Sequence, residues 1–218
     1  MKGLEKMKKT FKRLGAMFLA MVMAVSVLCT GALADESYSI TIRGKSTGHT
    51  YEAYQVFAGD VAMVKEATED TKAEYSLSNI QWGSAIDGEK FLAALKADSE
   101  LRSDFSNCTT AADVANVLST KDEYKGRDAA KTQKFASVVG KNLKANATCT
   151  KFNMASGTES DGVVLYSAFV PAGYYLIKDK DGSQNNQTGT AATRFILEVV
   201  GPQTVESKDS VPTIIKKV

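Results

Sequence analysis

DGVVLYSAFVPAGYYLIKDKD, running from Asp161 to Asp181, decides how the rest of the chain is read. Val163, Leu165, Ser167 and Phe169 share one face of an extended segment, and Val164, Tyr166 and Ala168 share the other. Both faces are largely apolar, which predicts a strand deep in a sheet. Pro171 fixes its own φ and Gly173 frees the backbone to turn. Pro171-Ala172-Gly173 therefore reads as the tight connection of a hairpin, with Tyr174-Tyr175-Leu176-Ile177 as its second strand and Asp181-Gly182 as its closing turn.

Toward the C-terminus, the polar stretch from Gln184 to Thr190 separates this hairpin from Arg194–Val200, which is expected to be the last strand of the domain and to stop at Gly201-Pro202. Residues 204–218 read as a linker followed, from Thr213, by the first strand of a further domain. Toward the N-terminus, Tyr38–Ile42 alternates and predicts a first strand. Tyr51–Phe57 predicts a second strand, with Tyr51, Ala53, Gln55 and Phe57 on one face and a break at Gly59-Asp60. Glu74–Ile80 alternates again. Trp82 is expected to plug the core or seal its rim, with a ligand-stacking role as the alternative.

Between about residues 88 and 145 the period changes to that of helices. Phe91, Leu92 and Leu95 mark one helix within Gly88–Ala97. Val114, Val117 and Leu118 mark a second within Thr110–Leu118, with Thr109 or Thr110 as its N-cap. Ala130, Phe135, Val138, Val139 and Leu143 mark a third within Arg127–Leu143. The expected fold is mainly β with a helical insertion, an α+β domain over residues 35–203.

Residues 1–34 read as a secretory signal peptide: a basic start ending at Arg13, an apolar run from Leu14 to Leu28, and Ala32-Leu33-Ala34 as a small-x-small site cleaved between Ala34 and Asp35. That segment is the expected limit of membrane contact. It holds six of the 27 basic residues and one of the 25 acidic ones, which leaves residues 35–218 with 21 basic against 24 acidic, a net charge of −3. Nothing in this mildly acidic composition suggests the basic face that nucleic-acid binding requires.

Cleavage leaves Cys108 and Cys149, one before the second helix and one after the third. In an exported chain they read as one disulfide, with two unpaired thiols as the alternative. A closed loop of that size would contribute about 2–4 kcal/mol. The single histidine, His49, sits in a Gly-containing turn with no cysteine or acidic cluster beside it, which does not make a metal site. No G-x-S-x-G element, P-loop or dinucleotide fingerprint is present, so neither a cofactor nor catalysis on small molecules is expected.

Val170-Pro171-Ala172-Gly173-Tyr174 resembles the APxGY end of the E-box in CnaB-type domains of Gram-positive surface proteins. In that family a glutamate four residues before the proline promotes a Lys–Asn isopeptide bond, and here the position is Ser167. Val205-Glu206-Ser207-Lys208-Asp209 resembles the VYPKN pilin motif of sortase-assembled pili, with Glu206 and Ser207 in place of its Tyr and Pro. Val211–Val218 resembles the VPTVEKKV run that opens the second domain of backbone pilins. The strand Gly48–Phe57, the Leu77–Gly83 run and Gly173–Asp179 extend the likeness to N-terminal domains of fimbrial backbone subunits. The resemblance implies an Ig-like or CnaB-like β-sandwich, Lys208 as the acceptor of a sortase-made amide, and Lys216 or Lys217 as the isopeptide lysine of the next domain. It implies other pilin subunits and a pilus sortase as partners, and a location on the cell wall. The competing expectation is a non-polymerising surface adhesin that binds host matrix or glycan.

Overall fold

Alternating apolarity makes strands here, but long-range pairing decides which sheet each strand joins. The computed structural model describes residues 36–45, 47–158, 163–180 and 194–207. β1 (Ser37–Gly44) buries Ile40 and Ile42 completely, as a two-residue period requires. β2 (Tyr51–Lys65) and β3 (Glu74–Trp82) form an antiparallel pair. Helices α1 (Gly88–Ala97), α2 (Arg102–Phe105), α3 (Ala111–Thr120) and α4 (Ala130–Lys141) follow, with a 3-10 turn at Asp122–Tyr124. The remaining strands are β4 (Thr150–Lys151), β5 (Asn153–Thr158), β6 (Val164–Pro171), β7 (Gly173–Asp179), β8 (Arg194–Val199) and β9 (Gln203–Glu206).

Among the described residues the strands form two sheets, ordered β5-β6-β1-β9 and β3-β2-β7-β8, with β4 added beside β2. One apolar core lies between the sheets and includes Ile40, Ile42, Tyr51, Tyr166, Ile177 and Phe195. A second lies between the other face of the β2–β7 sheet and the helices, and includes Phe57, Phe91, Phe105, Phe135, Leu176 and Val139. The domain is thus a three-layer arrangement of sheet, sheet and helices, with a predominance of strand. β7 is buried on both faces: Tyr175 and Ile177 face the first core and Tyr174 and Leu176 the second.

The expected hairpin is not one. β6 pairs with β1 and β5, while β7 pairs with β2 and β8, so Pro171-Ala172-Gly173 is a corner that carries the chain from one sheet to the other. Gly173 is required there because a Cβ on it would lie 2.4 Å from the carbonyl oxygen of Phe57. The depth expected of the first strand belongs to the second: β6 is half-buried, with Phe169 66% exposed, whereas β7 is buried on both faces.

β2 also differs from its expected form. It continues through Gly59-Asp60 to Lys65, and a bulge between Gln55 and Phe57 places two residues of β2 opposite one step of β7. The extra residue turns Phe57 to the helical core while Tyr51 and Ala53 stay in the intersheet core, so these residues do not share one face. The predicted helices are present as α1, α3 and α4. Asp87 caps α1, and Thr110 and Asp113 form a reciprocal capping box on α3. The segment expected to open a linker at residue 204 is instead β9, paired in parallel with β1.

Candidate functional site

β9 is the last described strand, and backbone and side-chain contacts fix its end. β9 runs beside β1 in register from Ile40 opposite Gln203 to Arg43 opposite Glu206. The Ser207 amide then donates to the Arg43 carbonyl at 2.7 Å. The Arg43 guanidinium lies 3.5 Å from the Glu206 carboxylate, and Arg127 Nη1 donates to the Glu206 carbonyl. Arg127 comes from the segment ahead of α4 and lies 5.4 Å from the centre of the Phe195 ring, so it spans from the helical layer to the last strand. Exposed ion pairs such as Arg43–Glu206 contribute about 0–1 kcal/mol, and the backbone bonds carry most of the anchoring. Lys208, Lys216 and Lys217, and Ala34 and Asp35 at the expected cleavage site, lie outside the described residues.

Ser167, at the E-box position, stands opposite Thr41 on the outer face of β6, between the buried Tyr166 and Ala168. Among the described residues the buried polar ones are His49, Glu52, Thr132 and Asp179. The turn expected around His49 delivers its ring into the core. Nδ1 lies 3.0 Å from Asp179 Oδ1, with the two side chains 0% and 1% exposed. The ring stacks on Tyr51 at 4.9 Å and meets the edge of Tyr166 at 6.0 Å. So enclosed a pair ties the β1–β2 turn to the end of β7; Lys180 N also donates to Thr50 O at 2.8 Å. No sequence signal marked this pair, because its members are 130 positions apart.

The bridge expected between Cys108 and Cys149 is not formed, and both are free thiols. They belong to different surroundings: Cys108 packs in the helical core, while Cys149 lies against Glu52 and Tyr54 on β2. Burial raises both thiol pKa values, helped at Cys108 by Asp113 and at Cys149 by Glu52, so neither is an activated nucleophile. What closes the helical layer is Asp104 at the end of α2. It accepts from Lys121 at 2.5 Å, Lys131 at 2.6 Å and the Tyr124 hydroxyl at 2.9 Å. Burial alone would raise this carboxyl, but the three donors outweigh it and pull its pKa down to about 2.

Trp82 seals a rim. Its ring is half-buried between Phe57 at 5.5 Å and Phe91 at 5.9 Å, with Gly88 pressed against it. Among the described residues no group of three His, Cys, Asp or Glu side chains is placed to hold a metal ion, and no helix is long and apolar enough to cross a membrane. Compared with family models, curated proteins and solved structures, the chain matches none.

Proposed function

We propose that the chain is the exported N-terminal domain of a pilus backbone subunit, an Ig-like or CnaB-like sandwich with a helical layer, joined to its neighbours by a sortase through Lys208. The observation that carries this reading is the anchoring of the last strand to the first. Pairing of β9 with β1 extends to Ser207, so the next residue is the lysine of the pilin-like stretch.

The same reading accounts for a domain held together by packing. If a neighbour's C-terminus is attached at Lys208 and the subunit's own C-terminus lies farther along the chain, tension along the fibre does not run through residues 36–207. A serine at position 167, turned away from the core, is then tolerable. The partners would be other subunits and the sortase, the location the cell wall, and the protein's role structural.

The test is an immunoblot of cell-wall extract boiled in detergent, from cells carrying the wild-type chain or Lys208→Ala. A high-mass ladder that disappears in the variant supports the reading. A ladder that survives moves the acceptor to another lysine, Lys216 or Lys217 first. Monomer alone in both strains overturns it.

A further inference from the structure

β2 outruns the sheet it belongs to. β7 begins at Gly173, opposite Ala58, so among the described residues β2 from Gly59 onward is paired with β3 alone. The two strands continue as a ribbon to the loop at 66–73, and a two-stranded ribbon is marginal by itself. Leu77, at its base, is buried in the helical core. Farther out Met63 stands opposite Tyr75, and the two are 57% and 50% exposed; Val64 is 60% exposed. Three of the five exposed large apolar side chains among the described residues thus lie on this ribbon, which marks it as a contact surface.

The two ends of β2 carry opposite charge. At the ribbon end, residues 65–74 hold four carboxylates and two lysines, a net charge of −2. Lys65 is taken up by Glu74 at 3.1 Å, whereas Glu66, Glu69 and Asp70 are exposed and form no ion pair with described residues. The loop is fixed: the Thr68 amide donates to the Thr71 carbonyl at 2.8 Å and the Thr71 amide to the Thr68 hydroxyl at 3.1 Å, with Glu69 and Asp70 at the apex. At the opposite end of the sheet Lys151 of β4, Lys180 just past β7 and Arg194 of β8 are exposed and form no ion pair with described residues. The carboxylates beside them are enclosed: Glu52 accepts from the Tyr54 hydroxyl at 2.8 Å, and Asp179 is paired with His49. β4 and β8 are outer strands there, so free backbone groups flank these cations.

We infer that the ribbon of one copy of this chain docks on the cationic end of a second copy. Charge complementarity selects that partner, because both halves of the contact are present on one domain. The domain cannot satisfy itself, since β2 spans up to about 40 Å from Glu52 to Lys65. In the contact the acidic loop meets Lys151, Lys180 and Arg194, and the aliphatic stems of these side chains lie against Met63 and Tyr75. Two copies set antiparallel make the contact twice, and copies set in series make it once per junction. A contact of this kind is smaller than the roughly 1,200–2,000 Å² of stable complexes, so the association is weak and sensitive to salt. The inference rests on the two ends of β2 and holds whether or not Lys208 is cross-linked.

The test is sedimentation of the purified chain against concentration, at low and high salt. One variant reverses the loop, Glu66→Lys/Glu69→Lys/Asp70→Lys. Another reverses the opposite end, Lys151→Glu/Lys180→Glu/Arg194→Glu. The charge-matched control is Lys96→Glu/Arg102→Glu/Lys125→Glu on the helical layer. All the substituted residues are exposed, so circular dichroism should show wild-type folding, and residues 1–34 are common to every sample. The expected result is wild-type association that weakens with salt, falls roughly tenfold or more in each of the first two variants and changes less than about threefold in the control. Mixing the two reversed variants should restore association, because the loop of each then attracts the opposite end of the other. Met63→Ser/Tyr75→Ser should weaken it about threefold or more with every charge kept. A wild type that stays monomeric at about millimolar concentration leaves the ribbon to some other partner and overturns the inference. Losses that mixing does not restore, or an equal loss in the control, also overturn it.

Discussion

Arg127 donates a hydrogen bond to the carbonyl of Glu206, 79 positions away, and thereby joins the helical layer to the last strand of the opposite sheet. Arg127→Ala removes that bond and the contact of the guanidinium with Phe195. The expected cost is about 0.5–1.5 kcal/mol, felt mostly at β9. Amide exchange at Val205 and Ser207 should accelerate roughly three- to tenfold, while exchange in β7 stays unchanged. Equal acceleration throughout the domain would show that Arg127 supports the whole fold and does not act at β9 alone.

Asp104 stabilises the helical layer through its charge, and this gives a pH dependence with a definite sign. Its side chain is 8% exposed and its pKa is lowered from 3.8 to about 2. A lowered carboxyl pKa means stability that is present above about pH 4 and lost as pH falls toward 2, here about 2 kcal/mol. Asp104→Asn should cost about 1–3 kcal/mol at pH 7, because Lys121 and Lys131 lose their common partner. Urea unfolding at pH 6 and pH 2.5 should show a smaller drop for the variant than for wild type. Parallel losses would place the acid sensitivity elsewhere, with the Asp113 cap, also held at about 2, as the next group to substitute.

The corner at Pro171–Gly173 makes a steric prediction with an internal control. Gly173→Ala drives a methyl group into the Phe57 carbonyl and should cost about 2 kcal/mol or more. Gly201→Ala, where the chain crosses from β8 to β9, meets nothing within 4 Å and should be nearly neutral. Thermal unfolding of the two variants compares them directly; similar melting temperatures would mean that the corner relaxes to accept a side chain.

What the sequence revealed follows from the range of the interactions. Helices α1 and α3 were legible because their signals are local, the apolar stripe in both and the Thr110 cap in α3, whereas the Asp87 cap of α1 was not read. β1 was legible from strict alternation. The change of sheet at Pro171–Gly173 was not, because a corner and a hairpin use the same turn residues and differ only in distant partners. The bulge at Gln55–Phe57 hid for a similar reason, since one unpaired residue inverts every face assignment after it. β9 is four residues long, with the pattern half-buried, exposed, half-buried, exposed, and it resembles a linker until its pairing with β1 is seen. The candidate acceptor, Lys208, was proposed from a motif-like stretch; the anchored strand before it was not foreseen.

The two cysteines supply the last prediction, because a free pair and a bridged pair respond differently to substitution. If Cys108 and Cys149 were bridged, replacing either would release the same loop and cost the same amount, about 2–4 kcal/mol. As free thiols they should differ. Cys108 is 4% exposed within the helical core, so Cys108→Ser places a hydroxyl among apolar side chains and should cost about 1–2 kcal/mol. Cys149 is half-buried, and Cys149→Ser should stay within about 0.5 kcal/mol of wild type. Alkylation of the unfolded chain beginning at Asp35, without reductant, should label both cysteines, and reductant should leave the melting temperature unchanged. In the native chain labelling should be slow at pH 7, since burial raises both thiols above their ordinary range. A mass lower by two hydrogens, with neither cysteine labelled, would restore the bridge and require that the segments carrying Cys108 and Cys149 move together.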